Sequence, residues 1–252
     1  MAKIPNDYEL DFLKTCSKEE LEPLVGAILG TDDEGNIDRS GRFTSVLDVS
    51  PAFVKFYPDH TKYVDAIIEE LQKYGANTFA TIMRGGMGVP YHEVLCDVAK
   101  KLKVGFDKAQ RTQEIEEALV AKVLGEAWGK LSEEQRCEAL KEAGEVIDGN
   151  LEGLNAANVA AILRAGGARA CGLATIVMSA VSMTILGHGL RVGAGFAFTR
   201  ALAVLTGPIG WTLVGLWTAV DFASPAYRVT VPACIYIAAL RKKKDHDKRV
   251  SI

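Results

Sequence analysis

Cysteine and histidine are scarce in this chain, and their pattern excludes several classes of protein. The 252 residues include five cysteines and four histidines, and the cysteines are far apart with no CxxC pair. A disulfide framework and a zinc knuckle are therefore not expected, and buried free thiols are the simpler interpretation. The motif "HEVLC" offers only His92 and Cys96, two ligands where a zinc site needs four. We expect no metal site.

The chain also lacks the local signatures of an active site. "RGGMGVP" (84–90) is without the Lys-Ser/Thr ending of a phosphate-binding loop, and "GHGLRVGAG" (187–195) departs from the spacing of the dinucleotide-binding fingerprint. No nucleophile elbow is present. The sequence therefore predicts no catalytic residues and no cofactor, and it favours a non-enzymatic protein over an enzyme.

Charge divides the chain into unlike halves. Residues 1–150 contain 18 lysines and arginines against 28 aspartates and glutamates, whereas residues 151–252 contain 11 against 4. The N-terminus lacks the apolar core of a secretory signal, so we expect the chain to begin in the cytoplasm. We expect three parts: an acidic helical domain at 1–150, an apolar helical region at 151–240 and a basic tail at 241–252.

The acidic half has the periodicity of short amphipathic helices. Ser17 and Glu20 are spaced as a capping box, and apolar stripes predict helices over residues 61–74 and 90–102. Thr112 is a candidate N-cap for a helix whose first turn carries three glutamates. No run of alternating residues is present, so the chain is predicted to be all-α, a multi-helix bundle.

Two uncharged runs suggest that the C-terminal half contains an apolar helical hairpin at 172–220. The runs cover residues 172–190 and 201–220, and each is long enough to cross a hydrocarbon core of about 30 Å. Glycine is abundant here, as in packed membrane helices. The predicted membrane-binding residues of this region are the hairpin-tip and interfacial side chains Arg191, Arg200, Trp211 and Trp217. The alternative is that these runs form the centre of a soluble bundle.

A basic cluster follows the apolar region. Arg241, Lys242, Lys243 and Lys244 are predicted to bind membrane, since cations beside apolar helices attract anionic headgroups. A tail that only improves solubility is the alternative. Nucleic acid is not expected as a partner, because aspartates interrupt the cluster and no aromatic residues are interleaved with it.

The remaining charges of the apolar half suggest a structural ion pair. Asp221 and Arg228 lie seven residues apart, with Pro225 between them as a helix breaker. Pairing would offset the cost of burying either charge alone. We expect this corner to fold a third apolar element, Val229–Leu240, back onto the hairpin.

Three stretches resemble the YaaW-like family of bacterial proteins: "ELDFLKTCSKEEL" (9–21), "LGHGL" (186–190) and "SPAYRVTVPACIYIAALR" (224–241). The resemblance covers nearly the whole chain, and "AYRVTVPA" is its most specific part. It also implies a remote relation of the middle region to the ubiquinol–cytochrome c chaperone family, a helical assembly-factor domain. The resemblance implies no catalytic residues.

These observations lead to two hypotheses about function. The first is a helical cytoplasmic protein that associates peripherally or conditionally with the inner membrane through its apolar half and basic tail. Such a protein would be an assembly factor or a membrane-perturbing protein, with membrane lipid or a membrane protein as its partner. The second is a soluble chaperone-like or protein-interaction module whose core is the apolar half. In both, the acidic half is a candidate docking surface for a protein partner.

Overall fold

The computed structural model describes residues 7–31, 37, 47–75, 88–130, 132–133, 156–186 and 225–251. Most of these residues are helical, and the one β pairing among them is an isolated bridge between Thr31 and Ile37. The all-α prediction is confirmed. The helices are α1 (Lys18–Leu29), α2 (Pro51–Phe56), α3 (Val64–Gly75), α4 (Tyr91–Lys101), α5 (Thr112–Lys130), α6 (Ala156–Ala165), α7 (Gly167–Leu186) and α8 (Pro225–Val250), with 3-10 turns at Asp11–Thr15 and His60–Lys62.

Helix α8 lies at the centre of the bundle. Its residues 229–241 are all buried, and the helix contacts α1, α3, α4, α5 and α7. A helix that is apolar on every face is stable in water only when other helices surround it. Proline 225 is its first residue, where the missing amide costs nothing, and the helix continues through Pro232. The stretch 229–240 is thus a core helix packed on α7, and residues 241–250 continue it without a break.

Helix α7 corresponds to the first arm of the predicted hairpin. It begins at Gly167, directly after Gly166, and the φ angles of these two residues, 78° and 72°, favour glycine. Residues 172–182 are buried, largely against α8. Of the residues that the structure describes, only this helix is long and apolar enough to cross a membrane, and 67% of its most apolar window is buried. The hairpin tip and the second arm, 201–220, lie outside the described residues.

The acidic half packs around this centre as short capped helices. The predicted capping box is present, with Ser17 and Glu20 exchanging side-chain and backbone hydrogen bonds at the start of α1. The apolar stripe predicted at 61–74 is buried, but the α-helix begins at Val64, after the turn at His60–Lys62. Helix α5 starts at Thr112 itself, so this threonine is its first helical residue rather than its cap.

The glycine-rich stretch 84–90 ends in a close backbone contact. The Val89 amide donates to the Gln72 carbonyl at 3.0 Å. A Cβ on Gly88 would lie 2.6 Å from the carbonyl carbon of Gln72, closer than van der Waals contact allows. Glycine at this position is therefore required for packing the chain against α3.

Candidate functional site

The predicted membrane-binding cluster of residues 241–244, hereafter the basic segment, lies on α8 where that helix leaves the core. Its neighbours are the first turns of α1 and α5 and the chain that precedes α1. We call residues 7–20 the N-terminal strap. The basic segment contacts the strap and α5, and each of its four cations meets a carboxylate.

The deepest contact of the junction is a buried ion pair. Arg241 Nε donates to Glu116 Oε2 at 2.7 Å, and the two side chains are 10% and 3% exposed. Tyr91 donates its hydroxyl to the other oxygen of Glu116 at 2.9 Å. Burial raises the pKa of Glu116, although Arg241 and the Tyr91 hydrogen bond act in the opposite direction. The carboxylate is thus held between two donors that satisfy both of its oxygens.

Arg241 also holds the strap. Its Nη2 donates to the carbonyl of Glu9 at 2.7 Å, and its guanidinium lies over the ring of Phe12, 4.3 Å from the centroid. A planar guanidinium can stack on a ring while its edge donates to a carboxylate and a carbonyl. Arg241 therefore joins α8, α5 and the strap at one point.

Two lysines of the basic segment share one carboxylate of the strap. Lys243 lies 3.1 Å from Glu20 Oε1, and Lys244 lies 2.6 Å from Glu20 Oε2. Burial favours the neutral acid, but the hydrogen bonds from Lys244, the Ser17 amide and Lys243 outweigh it and lower the pKa of Glu20. Lys243 also pairs with Asp247, one turn along α8, at 2.8 Å.

The fourth cation, Lys242, pairs with Glu117 on α5. Its side chain is 17% exposed, as is that of Lys244, and that of Lys243 is 15% exposed. The four cations therefore face three carboxylates from the acidic half, and little of their surface meets solvent. In this arrangement the basic segment joins the two oppositely charged halves of the chain.

A second set of hydrogen bonds joins the strap to α4 and α5. Thr112 donates its hydroxyl to Glu9 Oε1 at 2.8 Å, and His92 Nδ1 lies 3.0 Å from the same hydroxyl oxygen. Asp7 Oδ2 accepts from the backbone amide of Tyr91 at 2.8 Å. Pro90, at the cap position of α4, makes no side-chain hydrogen bond, so Asp7 supplies the cap from a distant part of the sequence.

The other predicted site residues have different outcomes. Arg191, Arg200, Trp211, Trp217 and Asp221 lie outside the described residues. Arg228 is described, at the start of α8. Burial raises the pKa of Tyr74 on α3, and the positive charge of Arg228 acts in the opposite direction. Its predicted pairing with Asp221 stays a prediction, as does lipid binding by the cluster at 241–244.

The partners of the basic segment were not identified from the sequence. Glu20 was interpreted only as part of a capping box, and Glu116 and Glu117 only as charges that favour a helix N-terminus. The opposite net charges of the two halves were the available signal. A charge imbalance indicates that the halves attract each other, but it does not indicate which side chains meet.

The cysteines that the structure describes are free thiols. Cys16, Cys96 and Cys234 are buried free thiols, and Cys171 is half-buried. Burial raises the pKa of Cys16 to about 12, so this thiol is a poor nucleophile. His92 and Cys96 are not joined by further ligands, since no group of three metal-binding side chains occurs in the parts of the chain that are described.

Comparison with known proteins identifies the family. A UPF0174 protein of Helicobacter pylori strain J99 is 40% identical over 240 residues, which cover 94% of this chain and 92% of that protein. The UPF0174 protein YaaW of Escherichia coli K12 is 34% identical over 243 residues, 94% of each chain. No family model and no solved structure match, and the expected remote relation to the ubiquinol–cytochrome c chaperone family stays a prediction. The chain belongs to the UPF0174 family, the family of YaaW.

Proposed function

We propose that this protein associates conditionally with a lipid bilayer, and that α7 with the following apolar sequence is the part that contacts lipid. The remaining helices form a water-soluble body that stays on the cytoplasmic side of the inner membrane. In this role the protein is non-enzymatic and acts as an assembly factor or a membrane-perturbing protein.

The observation that carries the proposal is the length of uncharged sequence in α7 and after it. Residues 172–182 and Leu186 are buried, but Met183 is 46% exposed and the two residues after it are half-buried. The uncharged sequence continues to residue 190, and a second uncharged run covers 201–220. Each of the two runs is long enough to cross a hydrocarbon core, as expected of a segment that contacts lipid.

The burial of α8 narrows the choice of lipid-binding segment. Because residues 229–240 are surrounded by other helices, they are needed for the core and are not available to lipid without unfolding the body. The lipid contact is therefore assigned to residues 183–220, with Trp211 and Trp217 as interfacial anchors.

Tryptophan quenching by brominated lipid tests this assignment. The chain has three tryptophans, of which Trp128 lies in α5, so the variant Trp128→Phe keeps only the two in the second apolar run. With vesicles that contain brominated acyl chains, we expect the fluorescence of this full-length variant to be quenched. Unquenched fluorescence, with the protein remaining in the supernatant, would overturn the proposal.

A dye-release assay separates the two forms of the role. A membrane-perturbing protein releases an encapsulated dye from the same vesicles, whereas an assembly factor binds them without leakage. Substituting the apolar residue Leu213→Glu places a charge within the second run, and we expect it to abolish both quenching and any leakage.

A soluble interaction module is the second candidate, and the burial of α7 favours it. Eleven consecutive residues of α7, 172–182, are covered within the bundle, as expected for a core helix of a soluble protein. This candidate predicts a protein that remains monomeric or a small oligomer without detergent. It also predicts strong hydrogen-exchange protection of α7 in the presence and absence of vesicles.

A further inference from the structure

The basic segment cannot attract an anionic surface while its cations are occupied within the chain. Lys243 and Lys244 both contact Glu20, and their side chains are only 15% and 17% exposed. Lys244 also donates to the Thr15 carbonyl at 3.4 Å. Contact between these lysines and lipid phosphate therefore requires the Glu20 side chain to release them.

We propose that Glu20, at the end of the N-terminal strap, is an autoinhibitory lock, and that anionic lipid headgroups replace its carboxylate on Lys243 and Lys244 when the protein reaches a bilayer. This inference rests on the proposed membrane association and adds its regulation. In the closed form the lysines are neutralised within the chain, and in the open form they face the headgroups.

The Glu20 contacts are at the outer end of the junction. The Glu116–Arg241 pair is almost fully buried, and further hydrogen bonds join Glu116 to Tyr91 and Arg241 to the Glu9 carbonyl. The Glu20 contacts lie farther along α8, where Lys242–Asp247 are half-buried and Lys248 is exposed. Lys243 and Lys244 can therefore exchange the Glu20 carboxylate for another anion by movement of side chains alone, while the apolar residues of the strap stay buried in the core.

A lipid phosphate has the chemistry to take the place of Glu20. Both are anions that accept hydrogen bonds from an ammonium group, and a membrane surface offers many of them at once. Glu20 is a single carboxylate shared by two lysines, so one displacement releases both from it, and Lys243 keeps Asp247 as a counter-charge. Other nearby charges, Asp247 on α8 and Glu117 on α5, stay in place on their own helices.

The substitution Glu20→Gln opens the lock without removing the cap of α1. Glutamine keeps an oxygen that can accept from the Ser17 amide, as Glu20 Oε2 does at 2.9 Å, and glutamine serves at this position of a capping box. Glu114→Gln is the matched control: it removes the same charge, but Glu114 pairs with Arg111 on an exposed face.

Binding of the full-length protein to phosphatidylglycerol-containing vesicles is measured by flotation. Each cation that reaches an anionic surface strengthens binding by roughly fivefold, and Lys244 loses its carboxylate in Glu20→Gln, so this variant is expected to bind at least about fivefold more tightly than the unaltered protein. Glu114→Gln is expected to bind as the unaltered protein does. Adding Lys243→Gln and Lys244→Gln to Glu20→Gln is expected to remove the gain, as is replacing the vesicles by phosphatidylcholine alone.

Glu20→Asp provides a second variant in case Glu20→Gln does not fold, as judged by circular dichroism. It keeps the charge but shortens the side chain by one methylene, so it cannot reach both lysines at their present positions. We expect it to increase vesicle binding too, by less than Glu20→Gln does.

The outcomes separate the lock from the proposed membrane association. If the unaltered protein and the Glu20 variants bind vesicles equally, and brominated lipid quenches both, the lock is wrong and the membrane association stands. If none of them binds any vesicle, both are wrong. A gain that persists without Lys243 and Lys244 would also overturn the lock.

Discussion

Substituting one member of the Glu116–Arg241 ion pair is expected to be among the most destabilising changes in the described part of the chain. The two side chains are 3% and 10% exposed and 2.7 Å apart. Glu116→Gln leaves the guanidinium without its counter-charge, and Arg241→Met leaves the carboxylate with only the Tyr91 hydroxyl. Removing one member of such a pair typically costs about 3–5 kcal/mol, because the remaining charge is buried and uncompensated.

That cost predicts a large change in thermal stability. For a chain of this size, 1 kcal/mol shifts the melting temperature by about 2–4 °C, so each single variant is expected to melt roughly 6–20 °C below the unaltered protein. The double variant is expected to lose less than the sum, since neither charge remains in the core. Tyr91→Phe removes one hydrogen bond to the carboxylate and is expected to cost about 1.5–3 kcal/mol.

Calorimetry and urea unfolding at neutral pH measure these differences. Glu114→Gln again serves as control, because it breaks an ion pair of the same 2.7 Å length on the exposed face and is expected to leave the melting temperature unchanged. The reasoning would be refuted if Glu116→Gln and Arg241→Met lowered the melting temperature as little as this control does. It would also be refuted if the two losses of stability were additive in the double variant.

Three further predictions concern other parts of the fold. Gly88→Ala is expected to cost about 1–3 kcal/mol in urea unfolding, because its Cβ would lie 2.6 Å from the backbone of α3, whereas Gly105→Ala, with nothing within 4 Å, is the neutral control. Burial and the charge of Lys18 lower the pKa of His60 to about 4, so between pH 4 and 6.5 the unfolded state binds a proton at His60 that the folded state does not. Stability is therefore expected to fall by up to roughly 3 kcal/mol as pH decreases from about 6.5 to 4, and His60→Gln should flatten that part of the profile. Asp7→Ala is expected to cost about 1–2 kcal/mol by uncapping α4, and equal stability of Asp7→Ala and the exposed-site control Asp11→Ala would contradict the capping role.

Much of the helical architecture was predictable because it depends on local patterns. The apolar stripe of α3, the capping box of α1 and the stretch of α4 each follow from residues within a few turns of one another. The start of α3 was placed too early, since the residues before Val64 form a 3-10 turn around the buried His60. Such helix ends depend on tertiary packing as well as on the local sequence.

The candidate site was predictable only in part, because its members are far apart in the sequence. The sequence indicated the cations of residues 241–244 and a membrane as their partner. It did not indicate that Glu9, Glu20, Glu116 and Glu117 meet them, since those contacts span more than 100 residues. Two of the three stretches of family resemblance, 9–21 and 224–241, were recognised separately, and in the structure Arg241 and Tyr236 of the second donate to the Glu9 and Glu20 carbonyls of the first.

By itself, the sequence determined the helical class of the protein, its family and its division into an acidic and an apolar half. Periodicity, capping and composition are local or additive properties, so they can be recognised without coordinates. Only the tertiary structure decided how completely each apolar segment is enclosed: every residue of 229–240 is buried, whereas within 172–186 Met183 is exposed and the two residues after it are half-buried. It also decided the partners of the basic segment, because an ion pair depends on a few ångströms of separation that only the folded chain establishes.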